Sequence, residues 1–192
     1  IKKVDYLIIG GGMANAFLYA LGKNIGKSLC EFEMKDDALK ILKLSDVHNC
    51  KIYLPCDIVC SNKLSKESKQ KTFDVEKCPD DLLILDAGEK TVNEIKKVFK
   101  KSKTLIWNGP LGAFEIPPFD KSTVEVAKYA AKLTKDKHLK SIAGGGDTIS
   151  ALNKAIVTND FSYVSTSGGA FLEWLEDENL PGILSLLKYN KI

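Results

Sequence analysis

Short apolar runs recur along the chain, separated by stretches in which apolar residues have helical spacing. The runs cover residues 6–9, 51–54, 82–85, 104–107, 141–143 and 163–164. Most are apolar at consecutive positions, which is typical of strands covered on both faces in a parallel sheet. The helical stretches cover residues 13–21, 36–45, 90–100, 122–133, 148–155 and 169–176. This alternation predicts a doubly wound α/β fold, a mostly parallel six-stranded sheet with helices on both faces, as in a Rossmann-like three-layer sandwich.

One segment does not follow this alternation. Residues 62–77 are rich in Lys, Ser and Gln and show no convincing period. Such a segment is a long surface connection or a pair of ragged edge strands, and the pattern leaves both open. With 192 residues, the chain can bury one substantial core, so we expect a single domain or one large domain of a bigger protein.

Charge and cysteine content exclude several classes of partner. The net charge is +3 and the sequence contains no Arg, so the bidentate Arg contacts typical of nucleic-acid recognition are unavailable. Five cysteines without a CxxC pair, together with only two histidines, indicate reduced thiols rather than disulfides or a zinc site. No apolar run approaches the roughly 20 residues that span a bilayer. We therefore expect a cytoplasmic protein that binds neither nucleic acid nor membrane. We also expect it to be a monomer.

Polar and glycine-rich turns follow five of the predicted strands. They lie at residues 10–12, 86–88, 108–110, 144–148 and 165–169. Ligands of open α/β sheets bind outside the carboxyl ends of the strands, so these turns are expected to converge on one crevice. A dinucleotide fingerprint is disfavoured in the first turn, because Asn15 stands at its third glycine position. Residues 22–28 approach a Walker pattern but have one residue too few between the glycines.

The turn at residues 144–148 predicts a phosphate site. Gly145 and Gly146 leave backbone N–H groups open at a helix N-terminus, which favours an anion. The Asp147 carboxylate would repel a bare phosphate, so its presence favours a Mg²⁺–nucleotide. A tight turn in which Asp147 caps the helix is the alternative.

Four segments resemble, in order and spacing, successive motifs of the phosphoglycerate kinase family. They are IIGGGMA at residues 8–14, WNGPLGAFE at 107–115, AGGGDT at 143–148 and VSTSGGA at 164–170. The resemblance covers essentially the whole chain. It implies that residues 1–192 are the family's C-terminal, nucleotide-binding domain, incomplete at its N-terminus. Members of the family transfer a phosphoryl group between 1,3-bisphosphoglycerate and ADP, giving 3-phosphoglycerate and MgATP.

The resemblance also implies a role for each matching residue around the nucleoside. Gly11 and Gly12 would form a wall against the adenine, where a side chain would occupy the space of the base. Leu85 and Pro110 would pack around the adenine, although packing in the core explains them equally well. Glu115 would bind the ribose hydroxyls, or else it merely ends a loop before two prolines.

Around the phosphates, the resemblance implies that Asn108 reaches the nucleotide from its turn. Asp147 would hold Mg²⁺ and Thr148 would bind a phosphate oxygen. The predicted catalytic positions are the glycines whose N–H groups or helix N-termini face the transferring phosphoryl group: Gly145, Gly146, Gly168 and Gly169.

Several features depart from the family pattern. The family's glycine-glycine-alanine-lysine turn lies upstream of the position of Ile1, and the family binds phosphoglycerate with arginines of a separate domain. We therefore expect these residues alone to bind nucleotide without turnover, and a non-catalytic nucleotide-binding module is the alternative. Within the matched segments, Ile84, Glu89 and Ser167 replace residues that are usual in the family.

Overall fold

The computed structural model of the chain describes residues 1–165. The helix predicted at residues 169–176 lies outside the described residues, as do Ser167, Gly168 and Gly169. Strands and helices alternate along most of the described chain, which confirms the α/β class.

The described residues contain eight strands and five α-helices. The strands are β1 (Tyr6–Ile8), β2 (Lys51–Tyr53), β3 (Asp57–Ser61), β4 (Lys71–Asp74), β5 (Leu83–Ala87), β6 (Thr104–Trp107), β7 (Lys140–Ala143) and β8 (Tyr163–Val164). The helices are α1 (Gly11–Ala20), α2 (Lys35–Val47), α3 (Glu89–Lys101), α4 (Lys121–Lys135) and α5 (Gly146–Ala155). Single 3-10 turns lie at Phe32–Met34, Val75–Lys77 and Thr158–Asp160.

Parallel pairing is confirmed for five of the predicted strands. β1 pairs with β2, and β6, β7 and β8 pair in that order in a second parallel sheet. Within residues 1–165 these strands therefore form a two-stranded and a three-stranded ladder, not one six-stranded sheet.

The remaining predicted strand, at residues 82–85, belongs to a separate antiparallel sheet. It is β5, and it pairs with β3, a strand that the sequence pattern did not predict. A run of consecutive apolar residues fits a buried strand of either direction, which is why the pattern did not distinguish them. β4 is the outer strand of this sheet and lies within residues 62–77, so part of that segment is an edge strand.

Three clusters of buried apolar side chains hold these layers together. The largest lies between α3, α4, α5 and β6, and its members include Ile95, Trp107, Val126 and Leu152. A second cluster surrounds Ile58 of β3, and the third lies between α1 and α2. Each fully buried large side chain stabilises the fold by about 1.5–3 kcal/mol. The largest cluster therefore fixes α5 and β6, the two elements whose ends carry the predicted phosphate turns.

Among the described strands, only β3 and β7 pair along both edges. β1 and β6 each pair on one side only, with β2 and β7 respectively. Ile106, in the middle of β6, is 45% exposed. Parallel strands are normally covered on both faces, so the exposure of Ile106 is unusual for a strand of this kind.

All five cysteines are free thiols. Burial raises the pKa of Cys60 to about 12, so this thiol stays protonated at neutral pH. Among residues 1–165 there is no helix that combines the length and the apolar character needed to cross a bilayer.

Candidate functional site

The loop that follows β6 joins the N-terminal ends of two helices. The N–H of Gly11, the first residue of α1, donates to the carbonyl of Leu111 at 3.0 Å. The N–H of Gly109 donates to Oγ1 of Thr148, in the first turn of α5, at 2.7 Å. One loop thus brings together the turns that follow β1, β6 and β7. Both helices direct the positive end of their dipole toward it.

The end of β5, where the predicted turn at residues 86–88 begins, meets the same loop. The N–H of Ala113 donates to the carbonyl of Leu85 at 2.8 Å. Gly112 lies directly against the carboxylate of Asp86, in a space where a Cβ atom would clash with that side chain. Four of the five predicted turns therefore converge at one place, and the fifth begins at Ser165 and continues outside the described residues.

Gly145 needs to be glycine for two reasons. Its φ of +95° is a conformation that L side chains rarely adopt. A Cβ at this position would lie 2.7 Å from Oδ1 of Asn108, well inside van der Waals contact. The missing side chain lets the Asn108 amide approach the turn, so the two predicted phosphate contacts are neighbours.

The next residues leave the N-terminus of α5 open. A Cβ added to Gly146 would have no atom within 4 Å, and the side chain of Asp147 is exposed. The first N–H groups of a helix have no partner within the helix, so they are available to an anion in this space. Thr148 differs, because it is 1% exposed and its hydroxyl already holds the loop at Gly109.

The setting of Asp147 fits a magnesium ion that is bound together with a nucleotide. Within residues 1–165, no group of three or more His, Cys, Asp or Glu side chains could hold a metal alone. Mg²⁺ usually takes one or two carboxylates and completes its shell with water and substrate phosphates. A single exposed carboxylate beside an open helix N-terminus supplies that donor set.

An apolar surface lies beside the first glycine turn. A Cβ on Gly12 would lie 3.8 Å from Cδ2 of Leu29, and the side chains of Leu29 and Met13 are 81% and 68% exposed. Gly11 faces the carbonyl of Pro110, 3.2 Å from the position of a Cβ. Gly11, Gly12 and Pro110 are therefore close together, next to two exposed apolar side chains that the sequence analysis missed.

Asn15 holds this apolar surface in place. Its Nδ2 donates to the carbonyl of Leu29 at 3.0 Å, and the residue is 4% exposed. Its Oδ1 is buried and accepts no hydrogen bond from the described residues. In the sequence, Asn15 is a single polar residue in the apolar first half of α1. A search for motifs does not detect a residue of this kind.

The other predicted residues are distributed around the loop. Glu115 is exposed, and Leu85 and Pro110 are half-buried, which suits either a ligand contact or core packing. Ile84 packs against the cluster around Ile58. Glu89 is exposed in the first turn of α3, where a negative charge suits the helix dipole.

Asp86 is a buried carboxylate at the base of the site. It accepts hydrogen bonds from the N–H groups of Ser122, at 3.0 Å, and Ala87, at 2.9 Å, and from the hydroxyl of Ser122. Burial raises its pKa to about 7, and the nearby charge of Asp120 adds to the rise. The hydrogen bonds oppose this shift but do not cancel it. The hydrogen bonds between Asp86 and Ser122 fasten the start of α4 to the end of β5.

Together, the fold and these contacts define an α/β protein in which an open helix N-terminus lies beside the carboxyl ends of the parallel strands. The sequence profile of the phosphoglycerate kinase family matches residues 1–178. The chain belongs to the phosphoglycerate kinase family.

Individual relatives agree with the family profile. The chain is 53% identical over 188 residues to a phosphoglycerate kinase of Chelativorans sp. (strain BNC1), a match that covers 98% of this chain and 47% of that protein. It is 55% identical over 186 residues to that of Zymomonas mobilis, covering 97% of this chain and 47% of the relative. The chain spans about half the length of the curated relatives it matches.

Solved structures of the family superpose on the chain. The phosphoglycerate kinase of Coxiella burnetii matches with a TM-score of 0.91 and 42% identity, covering 98% of this chain and 47% of that structure. The enzyme of Pyrococcus horikoshii matches with a TM-score of 0.80 and 28% identity, covering 98% and 46%.

Proposed function

We propose that this chain provides the MgADP/MgATP site of a phosphoglycerate kinase. The reaction is phosphoryl transfer between 1,3-bisphosphoglycerate and ADP, giving 3-phosphoglycerate and ATP, and residues 1–192 are the C-terminal nucleotide-binding domain. One observation carries the proposal: in a chain of this family, the loop after β6 contacts the first turns of both α1 and α5.

The nucleoside would lie along the apolar side of the site. Gly11 and Gly12 leave room for a flat base, and the exposed Leu29 side chain packs against it. A base that buries this leucine stabilises the complex through removal of apolar surface from water. The exposed Glu115 carboxylate on the loop accepts hydrogen bonds from the ribose hydroxyls.

The phosphates would lie at the N-terminus of α5. Gly145 and Gly146 donate backbone N–H groups, and the Asn108 amide approaches from the facing turn. Asp147 would hold Mg²⁺, which, when bound, neutralises charge on the phosphate oxygens. Gly168 and Gly169 are proposed to present a second helix N-terminus, although they lie outside the described residues.

This arrangement suits phosphoryl transfer because the transition state spreads negative charge over the equatorial oxygens. The chain's own contribution is to orient the nucleotide and to offer N–H donors that need no rearrangement during the reaction. No general base is needed on this side, because the acceptor group of 3-phosphoglycerate is a carboxylate that is ionised at neutral pH.

The acceptor would be bound by a part of the whole protein that this chain does not include. The sequence contains no Arg, and the chain spans 47% of the relatives it matches. We therefore propose that residues 1–192 bind MgADP without catalysing transfer by themselves. The proposal includes a monomer in the cytoplasm that binds neither nucleic acid nor membrane.

Isothermal titration calorimetry tests the nucleotide site. The protein is expected to bind MgADP and not NADH, and Asp147→Ala is expected to lose chiefly the Mg²⁺-dependent part of the affinity. Asp46→Ala, which removes an exposed carboxylate from α2, is the matched control and should bind like the wild type. Preferential binding of NADH would refute the kinase proposal. Unchanged MgADP binding by Asp147→Ala would refute the metal assignment.

A further inference from the structure

Lys154 binds three acceptors on one loop. It lies in the last turn of α5, and its Nζ donates to the carbonyls of Phe114, at 2.6 Å, and Glu115, at 3.4 Å. The same ammonium group forms an ion pair with Oδ2 of Asp120 at 2.9 Å. The Lys154 and Asp120 side chains are 30% and 17% exposed, so the ion pair is largely covered.

These contacts fasten the loop to the helix that begins at the phosphate turn. α5 has 10 residues, which corresponds to a length of about 15 Å. At its start, the hydroxyl of Thr148 accepts the N–H of Gly109. At its end, Lys154 holds residues 114–120. The loop is thus tied to both ends of one helix.

We propose that Lys154 is a positioning residue for nucleotide recognition. By fixing the backbone at Phe114 and Glu115, it sets where the Glu115 carboxylate stands relative to the phosphate turn at the other end of α5. Lys154 itself does not touch the nucleotide. The inference rests on the proposed function, because it assigns the role of Glu115 toward the ribose.

The chain offers an ordinary ion pair for comparison. Lys135 and Asp160 form an ion pair with the same distance, 2.9 Å, but the Lys135 side chain is 62% exposed. Ordering a lysine side chain costs conformational entropy, and an exposed pair recovers little of it. Ordering Lys154 costs a similar entropy, but its ammonium group contacts three acceptors and is partly buried. Such contacts are typical of a side chain that fixes the backbone of a loop.

The test uses the ribose hydroxyls as the readout. Calorimetry with MgADP and with its 2′,3′-dideoxy analogue measures how strongly the protein prefers the hydroxyls. Hydrogen bonds to a charged carboxylate predict that the wild type binds MgADP about tenfold more tightly than the analogue. Lys154→Met is expected to lose most of this preference, whereas Lys154→Arg and the control Lys135→Met retain it. Thermal unfolding of the same samples verifies that each variant is folded.

Each possible result bears on the inference. A folded Lys154→Met that keeps the wild-type preference overturns it, and so does a wild type that binds MgADP but does not distinguish the analogue. A wild type that binds neither nucleotide overturns the proposed function itself. If Lys154→Met does not fold, Lys154→Gln replaces it, since the shorter neutral side chain loses the ion pair with Asp120 and the ammonium bonds to the two carbonyls. An unchanged preference in Lys154→Gln then refutes the inference.

Discussion

Replacing Asp86 with Asn should change how stability depends on pH. Burial raises the pKa of this carboxyl group from 3.8 to about 7 in the folded protein, and the unfolded chain has the ordinary value. The folded state therefore holds the proton more tightly than the unfolded state. Consequently, the contribution of Asp86 to stability is fully present below pH 4 and is lost as the pH rises toward 7.

The size of the effect follows from the shift. One pKa unit corresponds to about 1.4 kcal/mol, so the shift of Asp86 corresponds to about 4 kcal/mol between pH 4 and pH 8. Asn has a similar shape and does not titrate. Its hydrogen bonds with Ser122 therefore change the free energy of unfolding by an amount that does not depend on pH. Relative to the wild type, Asp86→Asn should therefore gain stability with rising pH.

Urea unfolding at pH 4.5, 5.5, 6.5 and 7.5 measures this difference. The free energy of unfolding of the variant minus that of the wild type is expected to rise by about 1.4 kcal/mol per pH unit between the two pKa values. Asp46→Asn, at an exposed position of α2, is the matched control, and Asp86→Asn should show the larger dependence on pH. A flat difference for Asp86→Asn would show that this carboxyl group is not perturbed by its burial, and the reasoning would be wrong.

Two further substitutions test the local geometry. Asn15→Ala removes the hydrogen bond to the Leu29 carbonyl, so it should weaken MgADP binding about fivefold and leave the binding of magnesium tripolyphosphate unchanged, as measured by calorimetry. Equal losses for both ligands would contradict a role at the base. Ile156→Gly should stabilise the protein by about 1 kcal/mol in urea unfolding, because Ile156 has a φ of +59° at the end of α5 and is 88% exposed. A destabilised Ile156→Gly would mean that the side chain makes contacts that its exposure does not suggest.

Consecutive apolar residues located six of the eight described strands and predicted the direction of pairing correctly for five of them. The segment at residues 104–107 was predicted with the bounds that the structure has, since an apolar run between a helix end and a glycine turn has few other solutions. β3 was missed because its apolar run is only three residues long, with the buried polar residues Asp57 and Ser61 at its two ends. The Asp57 carboxylate accepts the N–H groups of Lys90 and Thr91 at the start of α3. A buried polar residue with such a long-range partner cannot be recognised from local pattern.

The candidate site shows the same division. Glycine turns at strand ends are local features, and the structure brings four of them together as predicted. Leu29, Asp86 and Lys154 contribute through contacts between segments that are distant in the chain. Their roles depend on which loop lies against which helix. Asp86 begins one of the predicted turns, but its contact with Ser122 joins segments 36 residues apart.

The uncovered edges of β1 and β6 have a consequence for how the protein behaves at high concentration. Each edge presents a row of backbone donors and acceptors, and in β6 this row accompanies the half-exposed Ile106. Backbone groups of this kind can pair with a strand of any other chain, whether or not that pairing is native. Lys103, immediately before β6, places a charge at one end of that edge and hinders unwanted pairing there. At β6, an edge without a described strand partner and an exposed apolar side chain occur together, so this strand is one place where two copies of the chain are expected to pair.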